Sequence, residues 1–237
     1  MVYPPAYPHD PIQAIADDVF LVRGAIRMNA LMRISRNMVI LRHGAELTLI
    51  NPLRLDPAGE RTLRELGAVR RVMRLGCFHG IDDPYYVDTF EAEFRAQPGG
   101  TVHPGPAIDQ PLAEDAALPF AGARLFCFRG TPQPEAALLL EGPRLLLTTD
   151  AIQHYGDYRH NNLPARLVMP WIGFPRTTIV GPMWLQAMTP PGGSLEGEFR
   201  RLLEFDFDGL VAAHGSHLAS GAHAAVTRAV ERAFGTP

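Results

Sequence analysis

The sequence predicts an α/β protein in which two β-sheets pack face to face with helices outside, a four-layer α/β/β/α sandwich. Three observations predict it. Strand-like apolar runs fall into two separate groups, between residues 18–75 and 124–149. Helix signals, with caps and stops, follow each group rather than lying between its strands only. No repeat with a period of 20 to 50 residues occurs along the chain, which excludes a solenoid. The 237 residues, 46% hydrophobic and 20% charged, are enough for a single domain with a sizeable core.

Pro4, Pro5, Pro8 and Pro11 make residues 1–16 an extended N-terminal arm. Residues 18–23 alternate and form the first strand. Residues 37–42 (NMVILR) and 46–51 (ELTLIN) are branched, apolar runs separated by His43-Gly44-Ala45, the signature of a hairpin. Asp56-Pro57 places an N-cap before a Pro at the first helical position, and Gly67 stops that helix. Residues 69–75 return to a strand. Pro84 opens a helix in which Tyr85, Val87, Phe90 and Phe94 share helical spacing, ending near Pro98-Gly99-Gly100. Strands at 124–128, 136–140 and 144–149 make the second sheet. Residues 163–191, rich in Pro and aromatic side chains, read as a loop with one short helix at most. Residues 195–205 are helical, 209–213 form a short buried strand, and 222–234 an amphipathic terminal helix.

All 22 basic residues are Arg, against 25 acidic ones, and the formal net charge of -3 leaves no basic excess for a phosphate backbone, so no nucleic-acid partner is expected. Two cysteines, Cys77 and Cys127, are too few for a disulfide framework, which points to a reducing, cytoplasmic setting. The least polar long segment, residues 177–195, is broken by Pro182, Pro190, Pro191, Gly192 and Gly193. It predicts no spanning helix and no membrane partner.

Side chains that can hold a metal recur just after strands: Cys77, His79, Asp82 and Asp83 after 69–75, Asp150 after 144–149, and His214 after 209–213. Loops at strand ends are where a rigid scaffold presents reactive groups, and a mixed His/Asp/Cys set suits zinc or iron. His154 follows Asp150 by four residues, which on a helical turn puts both on one face. Arg159, His160 and Arg176, with Trp171, Phe174 and Trp184, belong to the Pro-rich segment that would roof the site, where guanidinium groups suit a carboxylate or phosphate substrate.

Element order and these residues together resemble the metallo-β-lactamase-fold hydrolases, over nearly the whole chain from NMVILRHGAELTLINP through LLLTTD to VAAHGSHL. The family's His-x-His-x-Asp-His motif corresponds here to Cys77-Phe78-His79-Gly80-Ile81-Asp82-Asp83 in a degraded form. His79 takes the second His position, Cys77 the first, Ile81 replaces the Asp and Asp82 the last His. A one-residue slip would bring in Asp83 instead. A further family His is matched by Thr131 and is lost, while the bridging Asp is kept as Asp150 and the final His as His214.

The resemblance implies a four-layer sandwich of the metallo-β-lactamase type and a metal-dependent hydrolase acting on a small-molecule substrate. Its reduced site would hold one zinc or iron ion at most, with His79, Asp82, Asp83, Asp150, His214 and Cys77 as candidate ligands. Asp150 and Asp82 are the catalytic candidates, and Arg159, Arg176 and His160 the substrate-binding ones. The scissile bond is left open among ester, thioester, lactone and phosphodiester. The alternative, argued from the missing imidazoles, is a metal-free member of the family acting as a binding or assembly module.

Overall fold

The structure is a computed structural model and describes residues 3–114 and 116–235; residues 1–2 of the expected arm lie outside the described residues. The first sheet has seven strands lying side by side in chain order: β1 (Gln13–Ala16), β2 (Val19–Arg27), β3 (Arg33–His43), β4 (Glu46–Ile50), β5 (Ala68–Arg74), β6 (Glu93–Ala96) and β7 (Gln110–Pro111). β2 and β3 form its long hairpin, in register from Val19↔Leu41 to Arg27↔Arg33. The change from antiparallel to parallel pairing between β4 and β5 needs a crossover, supplied by α1 (Pro57–Leu66). Asp56 caps that helix by accepting the Gly59 N–H at 2.7 Å. α2 (Asp83–Phe90) makes the next crossover, to the parallel strand β6.

The second sheet has four strands in the order β13 (Gly209–Ala212), β10 (Leu145–Thr148), β9 (Ala136–Leu140), β8 (Ala123–Cys127), with β13 parallel to β10. A small antiparallel pair, β11 (Ile152–His154) and β12 (Thr178–Val180), leans on its end. Between β11 and β12 lie α3 (Leu163–Val168) and a 3-10 turn (Met169–Ile172). After β12 come α4 (Pro182–Met188), α5 (Glu196–Leu202) and α6 (Ala222–Phe234).

Strand alternation sorts the apolar side chains into the layers of a sandwich. On β3, Val39 and Leu41 face the second sheet and meet Leu138, Leu147 and Val211. Met38 and Ile40, on the other face, pack with Leu63 of α1 and Tyr86 of α2. On β9, Leu138 points inward while Leu139 points outward to the layer holding Trp184, Phe199 and Val226 of α4, α5 and α6. The expected four-layer α/β/β/α order is therefore present, with helices on both outer faces.

Four local readings are corrected. The arm ends in strand β1, because Gln13 and Ala14 pair with Leu21 and Phe20. The helix opened by Pro84 stops at Phe90, where Glu91 takes a left-handed conformation (φ 52°), and Phe94 lies on a strand in which Phe94 and Ala96 alternate inward. Residues 163–191 hold α3, a 3-10 turn, β12 and α4; Pro164, Pro170 and Pro182 open the three helical elements at their first turns instead of breaking them. Asp150 and His154 do not share a helix face, since His154 ends strand β11.

Glu114 ties the second sheet to α5. It accepts from the Arg201 guanidinium at 2.6 Å, the Cys127 N–H at 2.9 Å and the Arg129 guanidinium at 2.5 Å. Burial alone would raise this carboxyl, but these donors outweigh it and hold it down to about 2, from an ordinary 4.5. A carboxyl depressed on folding contributes stability that is complete above its unfolded value and lost as pH falls toward the folded one. Glu114→Gln should therefore lower stability at neutral pH, on the order of 2 kcal/mol, and flatten the acid limb of a urea-melt profile below about pH 4.5. An unchanged acid limb would contradict this.

Candidate metal centre

Three chain segments deliver one side chain each to the edge where the two sheets meet. His79 sits in the turn after β5: its N–H donates to Gly76 O, Cys77 N–H donates to Pro134 O, and its own carbonyl accepts from the buried Arg36 guanidinium at 3.3 Å. Asp150 ends the β10 turn, where the Thr148 hydroxyl donates to Ile152 O at 2.8 Å. His214 follows β13 and is held from the opposite sheet. Asn37 donates to Ala212 O at 2.7 Å, and the Ser35 hydroxyl accepts the Gly215 N–H at 2.8 Å. Gly215 has φ +84°, and a Cβ there would overlap the His154 carbonyl, so only glycine lets the chain turn behind His214.

His79 Nε2 lies 2.9 Å from Asp150 Oδ2, and His214 Nε2 lies 3.3 Å from Asp150 Oδ1. One donor atom from each of the three falls within 4.8 Å of the others. Gln153 donates to Asp150 Oδ1 at 3.0 Å, and Tyr155 donates to Gln153 Oε1 at 2.6 Å, which orients the carboxylate. Burial would raise the Asp150 carboxyl, but the two imidazoles hold it well below its usual range, so it is ionised. Burial pushes His79 down to about 4, which leaves its ring neutral at neutral pH. An ionised carboxylate beside the neutral His79 ring is the protonation state that metal ligation requires.

The donor set is one that could hold a metal ion. His214 Nδ1 lies 2.6 Å from Ser35 O, and since a carbonyl only accepts, Nδ1 carries the proton. With Nδ1 committed to Ser35 O, Nε2 is the ring nitrogen turned to Asp150 Oδ1, where both atoms are placed to ligate a cation. Ligands about 2.0 to 2.2 Å from one tetrahedral ion stand roughly 3.4 Å apart, close to the His214–Asp150 spacing. Two imidazoles and a carboxylate leave an open fourth position, as catalytic zinc sites do.

Above Asp150 and His214 opens a cavity of about 380 Å³. Its walls are apolar, with Met28, Met32, Phe78, Met169, Phe174 and Trp184 prominent, and neither Arg nor Lys lines it.

No protein-family model and no curated protein matches the chain in sequence. Solved structures match it nearly end to end. The metallo-β-lactamase FIM-1 from Pseudomonas aeruginosa, in a mono-zinc form, superposes with a TM-score of 0.65 at 11% identity over 99% of both chains. A metallo-β-lactamase from Erythrobacter litoralis gives 0.61 at 12% identity over 93% of this chain and 90% of its own, and one from Pontibacter korlensis 0.60 at 11% over 93% and 98%. This chain has the metallo-β-lactamase fold.

Within the metallo-β-lactamase fold, the structure brings His79, Asp150 and His214 together and places the other sequence candidates elsewhere. Among the described residues no other group of three potential ligands converges as these do. Asp83 is fully buried and pairs with Arg74 at 2.6 Å, and Asp82 accepts the Arg54 N–H at 3.2 Å. Both carboxylates answer buried arginines, since Arg36 is 2% exposed with Asp82, Asp83 and Asp150 as its surrounding anions. Cys77 packs into the apolar cluster beneath α4 and α5, and burial, with Glu135 and Asp150 nearby, pushes its thiol up to about 12. It is a core thiol here. Thr131 lies in the turn after β8, its hydroxyl 3.4 Å from Phe128 O.

The three residues expected to bind substrate do not line the cavity. Arg159 pairs with Asp10 at 2.7 Å, His160 Nε2 stands 3.1 Å from the same carboxylate, and the Arg176 guanidinium lies 5.7 Å from the Tyr158 ring centre. His154 binds the Thr178 hydroxyl at 2.8 Å across the β11–β12 pair. Sequence reasoning missed Gln153 and Tyr155, which orient Asp150, and Arg36, which holds the His79 carbonyl. An alternating signal was available at positions 153 and 155, which would have placed both on one side of a strand. Nothing in the sequence separates Arg36 from the other arginines.

Proposed function

We propose that the chain is a single-metal hydrolase of uncharged, apolar acyl compounds, with His79, Asp150 and His214 holding one zinc or iron ion. The observation that carries this reading is the convergence of that donor set at a cavity with apolar walls, which Asp150 and His214 line and behind which His79 is buried. What such an ion supplies when bound is Lewis acidity, enough to bring the pKa of a bound water down to about 7 and to polarise a carbonyl. The rest falls to the chain. Asp150, ionised and fixed by Gln153, orients the donors that approach its oxygens rather than taking a proton from them. His214 is locked in one tautomer by Ser35 O, and Tyr155, its hydroxyl driven well above its usual range by burial, stays protonated as a donor to Gln153. The Met and aromatic walls exclude water and receive an acyl chain.

Of the four bond classes compatible with the sequence, phosphodiester suits the cavity least, because no cationic side chain lines it to neutralise a phosphate. Ester, thioester and lactone remain. Two measurements test the reading. Elemental analysis after growth with zinc or iron should return about one ion per chain, the number that three protein ligands with one open position support. With p-nitrophenyl acetate, butyrate and octanoate, kcat/KM should rise by up to about fourfold per added methylene until the cavity is full. A protein that stays metal-free after loading would favour the binding-module reading instead, and a rate that falls with chain length would remove the apolar-acyl assignment.

A further inference from the structure

The cavity mouth opens on a face with an unusual surface. Trp171 is 89% exposed, Leu31 75%, Leu163 68% and Leu167 63%, and Met28, Ile172 and Met183 are also exposed. These side chains come from the tip of the β2–β3 hairpin, from α3 with its 3-10 turn, and from the start of α4. The parts are tied together: Asn162, the α3 N-cap, donates to Leu31 O at 2.9 Å and accepts the Arg33 N–H at 3.2 Å. Met28, Met183 and Ile172 also line the cavity, so the exposed apolar surface is continuous with its wall.

The charge around this surface has one sign. The chain as a whole is acidic, yet no Asp or Glu occurs in residues 19–45 or 158–195, the two stretches that build the face. Arg27, Arg166 and Arg176 stand exposed there without a carboxylate partner among the described residues; Arg27 and Arg166 bond only backbone carbonyls. An apolar centre with a cationic rim matches an anionic lipid interface, with Trp and Leu entering the acyl boundary and Arg meeting the headgroups. A second copy of this chain does not match it, because a two-fold contact through this face would bring Arg rim against Arg rim.

We propose that this face docks the protein on anionic membrane surfaces. No span is involved, since no helix among the described residues is long and apolar enough to cross a membrane. Docking places the cavity mouth against the lipid, so an apolar compound dissolved in the bilayer reaches Asp150 without crossing water.

The test is binding of the intact chain to vesicles, read by co-sedimentation and tryptophan emission, and it requires neither bound metal nor turnover. Trp184 is buried in the core, so a blue shift reports Trp171. Vesicles of equal parts phosphatidylcholine and phosphatidylglycerol should bind the protein, vesicles of phosphatidylcholine alone should not, and added salt should release it. Trp171→Ser and Leu31→Ser should each weaken binding about tenfold, and Arg27→Gln, Arg166→Gln and Arg176→Gln about fivefold each. All five side chains project from the surface, so the variants should melt like the parent. Failure to bind either vesicle overturns the proposal. So does equal binding by Trp171→Ser and the parent, or a dimer in sedimentation equilibrium that Trp171→Ser abolishes while no vesicle is bound.

Discussion

Asp150→Ala should abolish both metal retention and hydrolysis. The carboxylate lies between the two imidazoles, at 2.9 and 3.3 Å, and without it His79 and His214 are two imidazole donors with no anion to offset a divalent charge. Replacing even the partner of a metal ligand costs about 10 to 100-fold in affinity or activity, so loss of the ligand itself should cost more than roughly 100-fold. Asp150→Asn separates charge from shape, because it keeps the Gln153 contact but not the negative charge, and it should retain little metal. Elemental analysis of the two variants beside the parent reads the effect with no substrate in hand. The fold should survive, since what is lost is a set of hydrogen bonds worth about 1 to 3 kcal/mol. Variants that hold as much zinc or iron as the parent would show that Asp150 is not a ligand.

Arg74→Ala should be the most destabilising single substitution we argue for, at about 3 to 5 kcal/mol in urea melts, because it strands a buried carboxylate. Arg74 is 7% exposed and Asp83 fully buried; the guanidinium also donates to His103 O at 2.8 Å and Gly105 O at 2.7 Å. Burial, working against Arg74, already lifts the Asp83 carboxyl from its ordinary 3.8 to about 6. An acid raised on folding binds its proton more tightly in the native state, so its contribution to stability is full below about 3.8 and is lost as pH rises through about 6. Removing Arg74 raises the carboxyl further, so the deficit of the variant should be smaller at about pH 5 than at about pH 7. Adding Asp83→Asn should recover part of the loss, the coupling expected of neighbours in one network. Equal deficits at both pH values would show that the cost arises from lost packing instead.

Much of the architecture is legible in the sequence because it rests on local rules. The cap at Asp56, the hairpin around Gly44 and the terminal helix at Ala222–Phe234 are specified by residues that touch each other along the chain. The segment 163–191 escaped that reading because its helices are six or seven residues long, too short for periodicity to show, and are stabilised by what they cover. Phe94 fits a helical stripe and a strand equally well, and the partner strand β5 decides between them.

The site divides along the same line. That His79, Asp150 and His214 each follow a strand is written in the sequence, and with it their presentation at sheet ends. Which other candidates join them is not. Asp82 and Asp83 look like ligands by composition, but Arg36 and Arg74 reach them from other strands and take them into a buried charge network. Cys77 carries a metal-ligating atom, and only the packing of α4 and α5 over it makes it a core residue. Arg159 and Arg176 are cations within a roof-forming segment, and only the tertiary structure shows that neither lines the cavity, Arg159 pairing with Asp10 and Arg176 lying by the Tyr158 ring. The sequence by itself determined the strands, the caps and the three strand-end donors, because these depend on neighbours a few residues away. The tertiary structure alone decided which charges meet and which surface stays apolar and open, because those depend on groups brought together from distant parts of the chain.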